Sequence, residues 1–310
     1  MANQPNIGYP TAPDVLRVRT ILVNLYIIRT RTSWVLVDAG LRGHAQSIAA
    51  AARAFTGTSS PPSAIVLTHG HFDHIGSLAE LLRRWDVPVY AHRLERPYLT
   101  GESPYPPPDP LVGRGSMALM SRLYPRSPID ISGRLESLPE DGSIPHMDGW
   151  RWEFTPGHTA GHVALFRNAD RVLIAGDAVT TTRQESALAV ATQRQEMHGP
   201  PAYFTQDWQA AADSVARIAS LEPEVLATGH GIPMRGQAMR KELHWLARHF
   251  ADVEVPRFGR YAKHPAITDE HGIVMLPPDP LPKVAAGVLA AAVAVALAAR
   301  RSRSDARALR

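Results

Sequence analysis

The sequence predicts an α/β layered fold, and two observations support this expectation. Short apolar segments rich in Val, Ile and Leu alternate with segments of helical pattern, which is typical of layered α/β proteins. The chain has 310 residues, of which 45% are hydrophobic and 20% charged, the balance of a folded globular protein rather than a disordered or fibrous one. That length corresponds to one large domain or two ordinary ones.

Regular elements are predicted on both sides of an irregular middle segment. The first half carries strands within residues 15–38, a helix over 45–55, a strand over 64–67, a helix over 78–85 and a strand over 87–91. Three short strands follow from Trp150, then a helix over 210–221, the strand VLATG and a long helix over 234–250. The two halves therefore share one outline of strands followed by helices.

Residues from about 95 to 147 are interpreted as an insertion between these halves. Six prolines lie within residues 97–110, and such a segment cannot form a regular element because proline lacks the amide donor. A helical piece is predicted over 116–124. Two interpretations stay open for this insertion: a lid or binding loop, or a surface extension that only covers the core.

Composition limits the chemistry that the chain can perform. It has no cysteine, which excludes a disulfide framework, a cysteine-bound zinc or iron–sulfur centre and a thiol nucleophile. Any metal must therefore bind histidine and carboxylate side chains. The formal charge of +4 arises within residues 300–310, so residues 1–299 are neutral overall. The body of the protein thus offers no argument for nucleic-acid binding.

The segment Thr68-His-Gly-His-Phe-Asp-His74 concentrates metal-ligating side chains directly after an apolar strand. In an extended loop, side chains two residues apart point the same way, so His69 and His71 can converge on one point. Asp73 and His74 lie where the next helix begins and turn toward a neighbouring point. Imidazole nitrogens and carboxylate oxygens bind zinc-like ions at about 2.0–2.2 Å. The spacing therefore predicts a metal site.

The ends of later strands supply ligands that a single loop cannot. His158 lies in PGHTAGH, Asp177 ends the strand VLIAGD, and His230 lies in TGHG after the strand VLATG. Each stands at a strand-to-loop junction, where α/β folds gather functional groups. We therefore expect these three side chains to complete the metal site.

Together, the motifs HGHFDH, PGHTAGH, AGD and TGHG resemble those of the metallo-β-lactamase fold superfamily, and in detail those of its glyoxalase II and lactonase-like hydrolases. The resemblance extends over about residues 15–250. It implies a four-layer αββα sandwich, to which the sequence itself adds the loop-rich insertion described above and a C-terminal apolar helix. Residues 1–250 would then form one metal-hydrolase domain.

The resemblance also implies two metal sites joined by a carboxylate. The implied cofactors are two Zn²⁺ ions, although iron or manganese can take the same ligands. The implied ligands are His69, His71 and His158 for the first metal, Asp73, His74 and His230 for the second, and Asp177 as the bridge.

The implied activity is the hydrolysis of a small ester, thioester or lactone. Metal binding lowers the pKa of water to about 7 and so provides hydroxide at neutral pH, with Asp73 as the catalytic residue that orients it. Attack on a carbonyl then produces an oxyanion that the metals stabilise. The substrate is a small molecule, and the sequence does not identify the residues that bind it.

Two alternatives remain open, and several subgroups of the family fit less well. A mononuclear iron sulfur-dioxygenase uses a similar His/Asp set on the same fold, and a non-enzymatic, membrane-associated module would keep the fold only for binding. The classical broad-spectrum zinc β-lactamases use a cysteine ligand, and flavodiiron proteins carry an acid where His71 stands. Acyl-homoserine lactonases carry a tyrosine just after the bridging aspartate, whereas Asp177 of this chain is followed by Ala-Val-Thr-Thr. No glutathione-binding basic pattern follows His230.

Four residues in or near these motifs are assigned supporting roles. Asp38 either caps the turn that follows it or supports the site. His162 is assigned a structural role, because one histidine of PGHTAGH suffices as a ligand. Tyr203 and Phe204 are expected to pack the following helix onto the core, with the lining of a substrate pocket as the alternative.

The C-terminal part carries two predicted segments. Residues 251–282 contain four prolines after position 276 and are expected to form an extended linker. Residues 283–310 are expected to form an Ala-rich helix with a basic tail, in which 284–299 carry no charge. Since a membrane span needs about 17–25 apolar residues, residues 281–301 either attach to a membrane or pack on protein.

The N-terminus lacks the pattern of a secretory signal peptide. A cytoplasmic location is therefore expected, with membrane attachment through the C-terminal segment as the alternative. The sequence does not predict an oligomeric state.

Overall fold

The structure is a computed structural model that describes residues 8–113 and 115–282. The chain divides into two units at residue 276. Only residues 277–282 of the second unit are described, so the architecture below is that of the first unit.

Seven strands form the first sheet, and they are neighbours in sequence order. They are β1 (Tyr9–Ala12), β2 (Val15–Thr20), β3 (Val23–Arg29), β4 (Trp34–Val37), β5 (Ala64–Val66), β6 (Val89–Ala91) and β7 (Leu135–Ser137). The first four strands pair antiparallel, and β4 to β7 pair parallel. The parallel half brings the carboxyl ends of β4, β5 and β6 to one edge of the sheet.

Five strands form the second sheet, in the order β12-β11-β10-β9-β8. They are β8 (Trp150–Phe154), β9 (Val163–Arg167), β10 (Val172–Ile174), β11 (Val225–Ala227) and β12 (Met234–Arg235). Only β10 and β11 pair parallel, and the other neighbours pair antiparallel. The ends of β10 and β11 therefore also meet at one edge.

Eight α-helices connect or cover these strands in the described residues. They are α1 (Ala45–Thr56), α2 (Phe72–Ile75), α3 (Leu78–Arg84), α4 (Arg96–Leu99), α5 (Ser116–Met120), α6 (Ala187–Thr192), α7 (Trp208–Ser220) and α8 (Gly236–Val253). The parallel pairs β4–β5, β5–β6 and β10–β11 need crossover connections, which contain α1, α3 and α7 respectively.

Three buried apolar clusters arrange these elements in four layers. Alternate residues of β3 serve two of the clusters: Leu25 and Ile27 pack with α1 and α3, whereas Tyr26 and Ile28 face the second sheet. The outer face of the second sheet packs against α7 and α8 in the third cluster. Side chains alternate across a strand, so each sheet contacts a helical layer on one face and the other sheet on the opposite face. The predicted four-layer αββα sandwich is confirmed.

The long helix predicted over residues 234–250 begins two residues later and ends three residues later. Met234 and Arg235 form β12 and pair with β11 instead of starting the helix. Gly236, with φ of 72°, turns the chain between strand and helix, a left-handed conformation that glycine adopts without steric cost. The predicted helix therefore exists, but its predicted first two residues belong to a strand.

The segment 95–147 differs in part from the predicted irregular insertion. Its last part contains β7, which pairs in parallel with β6 and extends the first sheet. With only three residues, LES, β7 carries too few positions for a strand pattern, and it forms because β6 offers an open edge. The rest consists of loops, α4, α5 and two single 3₁₀ turns, Pro110–Val112 and Ser121–Leu123.

The segment 251–282 differs from the extended linker that was expected. Its first residues complete α8, and a two-stranded hairpin follows, formed by β13 (Ile267–Asp269) and β14 (Gly272–Met275). The predicted Ala-rich helix at 283–310, with its apolar run 284–299, lies outside the described residues. Among the described residues, no helix has the length and apolar character needed to cross a membrane.

A pH-dependent contribution to stability arises at His92, directly after β6. Its ring stacks on Phe154 at 4.6 Å, and burial, assisted by Arg93, lowers the pKa of His92 to about 4. Because the unfolded chain has a histidine pKa of about 6.5, it binds a proton between about pH 6.5 and 4 that the folded chain does not. The free energy of unfolding therefore falls as the pH drops through this window.

We expect His92→Gln to flatten this pH dependence by up to about one bound proton. Urea unfolding at pH 7, 6 and 5 measures the slope. The control His264→Gln replaces an exposed histidine and should keep the wild-type slope. An unchanged slope in His92→Gln would show that the stacked ring does not titrate differently in the two states.

Candidate metal centre

The motif that follows β5 is divided between an extended loop and a short helix. His69 and His71 lie in the loop, and His71 has extended backbone angles of −64° and 152° directly before α2. Asp73 and His74 lie within α2 itself. All four side chains are buried, and none is more than 6% exposed. The change from loop to helix separates the motif into two pairs of candidate ligands, His69 with His71 in the loop and Asp73 with His74 in the helix.

The other three side chains come from the second sheet. His158 lies between β8 and β9, Asp177 follows β10, and His230 follows β11. Each is at most 2% exposed. The metal centre therefore lies where strand ends of the two sheets meet.

The structure brings all seven residues together in three overlapping groups whose ligand atoms lie within 4.8 Å of one another. Two residues, His69 and His74, each belong to two groups. The groups are His69, His71 and His158; His69, His74 and Asp177; and Asp73, His74 and His230.

Distances between these atoms match those between ligands of one metal ion. Tetrahedral coordination with bonds of about 2.0–2.1 Å places its ligand atoms about 3.3–3.4 Å apart. The Asp177 carboxylate lies 3.4 Å from His74 Nε2, 3.5 Å from His158 Nε2 and 3.1 Å from His230 Nε2. His230 Nε2 also lies 3.4 Å from Asp73 Oδ2. The spacing fits an ion between these side chains.

Several buried polar atoms in this cluster have no hydrogen-bond partner, which provides a second test of the fit. A buried polar group without a partner is costly, and a bound cation would satisfy such atoms. The unpartnered atoms that such a cation would satisfy are Nε2 of His69, Nε2 of His74 and Oδ1 of Asp177, whereas His71 and His158 approach each other through His71 Nδ1 and His158 Nε2, 3.0 Å apart. The donor set, rich in imidazole with carboxylates and no thiolate, suits zinc, iron or manganese.

Burial keeps three imidazoles in the form that binds metal. It lowers the pKa of His69 and His158 well below the usual value, and that of His71 to about 3. A neutral imidazole has the free electron pair that a metal requires. These three residues form one of the groups described above.

Opposite charges dominate on the other side of the cluster. Burial would raise the pKa of Asp177, but His230 and His74 outweigh it, so that the pKa lies well below the usual value. Burial would likewise lower the pKa of His74, but the carboxylates of Asp177 and Asp38 raise it well above 6.5. The charge of the Asp177 carboxylate can therefore be balanced either by a proton on His74 or by a cation bound between these side chains.

Hydrogen bonds behind the ligands fix how two imidazoles point. Asp38 Oδ2 accepts from His74 Nδ1 at 2.9 Å and from the Thr68 hydroxyl at 2.8 Å. The backbone carbonyl of Leu22 lies 2.9 Å from His230 Nδ1. In both cases Nδ1 carries the proton and Nε2 faces the cluster, an arrangement common among metal-binding histidines. Asp38 therefore supports the site, which was one of its two expected roles.

Two residues fix the backbone around Asp177. His162 Nε2 accepts from the Asp177 amide at 3.0 Å, and its Nδ1 lies 2.8 Å from the Thr155 hydroxyl. His162 thus has the structural role that was expected. A side chain at Gly229 would overlap with Oδ1 of Asp177, so the close approach of this loop requires glycine.

Sequence reasoning missed Glu95, which connects two of the ligand loops. Its carboxylate is fully buried. Oε2 accepts from the Gly70 amide at 3.0 Å, and Oε1 accepts from the Gly161 amide at 3.0 Å and the Thr159 hydroxyl at 2.6 Å. The Tyr105 hydroxyl also donates to Glu95. Glu95 lies within no motif, and nothing in the sequence distinguishes it from other acids in the insertion.

Aromatic residues cover one side of the centre. Phe204 stacks on His71 at 4.5 Å, and Tyr105 lies 4.6 Å from the same ring. Tyr124 lies 5.7 Å from Phe72 and 6.0 Å from Phe204. Tyr105 and Tyr124 belong to the insertion, so this segment covers the metal centre.

Both aromatic residues that were expected to pack α7 are buried. Tyr203 and Phe204 are 3% and 7% exposed and share a cluster with Trp208 of α7. Phe204 also stacks on the candidate ligand His71. It therefore both packs against α7 and lines the site.

The fold and the buried His/Asp centre define a class of protein, the metal-dependent hydrolases with the αββα sandwich. The sequence profile of the metallo-beta-lactamase superfamily matches residues 18–230, and the chain belongs to this superfamily.

Two similar proteins of Bacillus subtilis (strain 168) are named as probable metallo-hydrolases. The "Probable metallo-hydrolase YflN" is 49% identical over 249 residues, which cover 79% of this chain and 94% of that protein. The "Probable metallo-hydrolase YybB" is 30% identical over 211 residues, or 68% of this chain and 81% of that protein. Among solved structures, metallo-beta-lactamase SMB-1 bound to 2-mercaptoethanesulfonate matches with a TM-score of 0.53 at 18% identity, covering 74% of this chain and 81% of that chain. The last similarity concerns the fold alone.

Proposed function

We propose that this protein is a dinuclear zinc hydrolase that cleaves a small ester, thioester or lactone. The observation that carries the proposal is the set of three overlapping His/Asp groups, all buried. The narrower ester-type specificity rests on the resemblance of the motifs to glyoxalase II and lactonase-like hydrolases.

The position of Asp177 supports a division of the ligands between two metals. Its Oδ1 lies closest to His74 and its Oδ2 lies near both His158 and His230. One carboxylate thus contacts ligands of both proposed metal sites, and two nearby cations need such an anion to reduce their repulsion. His69, His71 and His158 would hold the first ion, and Asp73, His74 and His230 the second.

When bound, the metal ions activate water at neutral pH and polarise the scissile carbonyl. The protein supplies the rest. Asp73 faces His230 among the ligands, where its carboxylate orients the attacking water and accepts its proton. The aromatic cover restricts the access of bulk water, which strengthens electrostatic interactions within the site.

The first test of this function is metal removal. We expect a chelator to abolish hydrolysis of at least one substrate in a panel of thioesters, lactones and esters, and zinc to restore it. Metal analysis of the purified protein should give about two ions per chain, since Asp177 lies between two ligand groups. A single iron per chain, with oxygen consumed during turnover, would contradict the proposal and support a sulfur-dioxygenase. Metal binding without turnover of any panel member would contradict the ester-type specificity.

A further inference from the structure

A cavity of about 370 Å³ lies beside the loop that carries His230. Three arginines line it: Arg17 and Arg19 from β2, and Arg235 from β12. None of the seven proposed metal ligands lines this cavity. It is therefore a separate feature from the metal centre.

These three guanidinium groups have no carboxylate partner in the described part of the chain. None lies within 4.0 Å of an acidic side chain. Each instead donates to one backbone carbonyl: Arg17 to Gly231 at 3.1 Å, Arg19 to Val190 at 3.4 Å and Arg235 to Thr11 at 2.6 Å. Since a guanidinium has five N–H donors, most N–H groups of these three arginines remain available to a ligand.

Burial makes this arrangement unusual. Arg17 is only 5% exposed, and the Nε atoms of Arg17 and Arg19 are buried without a hydrogen-bond partner. Burial lowers the pKa of Arg17, and the charge of Arg19 lowers it further. Buried charges in proteins are normally paired, and the buried Arg17 has no carboxylate partner, whereas Arg19 is half-buried and Arg235 is exposed.

The walls of the cavity indicate what kind of anion would balance this charge. The ring of Tyr9 lies 4.7 Å from the Arg17 guanidinium, and Ile232 and Pro233 add apolar surface. The volume lies in the range of small-molecule pockets, about 300–1,000 Å³, and exceeds what a bare inorganic ion fills. Guanidinium groups match the planar geometry of carboxylates and the oxygens of phosphates.

We propose that this cavity binds a small organic anion, a carboxylate or a phosphate ester, whose oxygens contact Arg17, Arg19 and Arg235. The anion balances their charge, and its organic part packs on Tyr9 and Ile232. Arg17 also holds the carbonyl of Gly231, so the anion binds next to the loop of His230 without contacting the metal ligands. The proposal is independent of the hydrolase function.

Calorimetric titration of the metal-loaded full chain at about 50 mM salt tests the proposal. The probes are phenyl phosphate, benzoate and inorganic phosphate. We expect one of the two aromatic anions to bind more tightly than inorganic phosphate, and the tighter of the two identifies the phosphate or the carboxylate class. Arg19→Gln and Arg235→Gln should each weaken this binding at least about tenfold, because a charged hydrogen bond is lost.

Controls separate this cavity from general charge effects and from the metal centre. Arg31→Gln removes an exposed arginine and should change the dissociation constant less than about twofold. Arg17→Lys keeps the buried charge, and should weaken binding while the chain stays folded. Binding should persist when the metals are removed with a chelator. Loss of binding on chelation, unchanged affinity in both glutamine variants, or no binding of any probe would each overturn the proposal.

Discussion

Asp177→Asn is expected to lower kcat/KM about 10³-fold or more, the largest loss of activity that we predict. The substitution removes the charge that faces His74, His158 and His230 while it keeps the shape of the side chain. Without this anion, two cations cannot be held close together, and their stabilisation of the transition state is worth several kcal/mol. Metal content should fall from about two ions per chain toward one.

Steady-state kinetics and metal analysis on the same preparation measure both effects. The matched control, Asp252→Asn, changes an exposed aspartate in α8 and should keep activity and metal content. Circular dichroism establishes that Asp177→Asn is folded. A folded Asp177→Asn variant with two ions and wild-type kcat/KM would remove the bridging role from the mechanism.

Glu95→Ala is expected to destabilise the protein by about 3–5 kcal/mol. The substitution leaves the buried amide of Gly161 without an acceptor, at about 1–3 kcal/mol for such a group, and it removes one of the two acceptors of the Gly70 amide, the other being the Tyr105 hydroxyl. The hydroxyls of Thr159 and Tyr105 lose their acceptor as well. Gly70 lies between His69 and His71, and Thr159 directly follows His158. The loss therefore also loosens all three ligands of the first proposed site.

Glu95→Gln separates stability from metal binding, because it keeps the volume of the side chain and one acceptor oxygen. We expect it to fold and to weaken metal binding at one site by about 10–100-fold, the usual effect of changes behind metal ligands. Urea unfolding and competition with a chromophoric chelator provide the two measurements. The control Glu242→Ala changes an exposed acid of α8 and should leave both unchanged. Wild-type stability in Glu95→Ala would show that the two loops hold their geometry without Glu95.

The sequence was sufficient for the parts of the site that depend on local spacing. His69, His71, Asp73 and His74 follow one strand within six positions, so the alternation of an extended chain and the start of α2 determine their directions. His158, Asp177 and His230 stand at strand ends, but their meeting point depends on how two sheets pack. Their grouping was predicted from the order of the motifs, which resembles that of a known family, and not from local spacing.

Features that depend on contacts between distant segments could not be predicted. Glu95 is one acid among others in the sequence, and its role exists only because Gly70 and Gly161 approach it in space. The three-residue strand β7 forms because β6 has an open edge, which no pattern within β7 signals. The hairpin of β13 and β14 lies in a segment whose prolines suggested an extended chain.

The division of the ligands between the two sheets has a thermodynamic consequence. His69 and His74 are attached to the first sheet, and Asp177 and His230 to the second. An ion bound by both groups prefers the folded chain, so folding and metal binding are linked and the free energy of unfolding rises with the logarithm of the free metal concentration. The abundance of the folded protein in a cell then depends on metal supply, before any substrate is turned over.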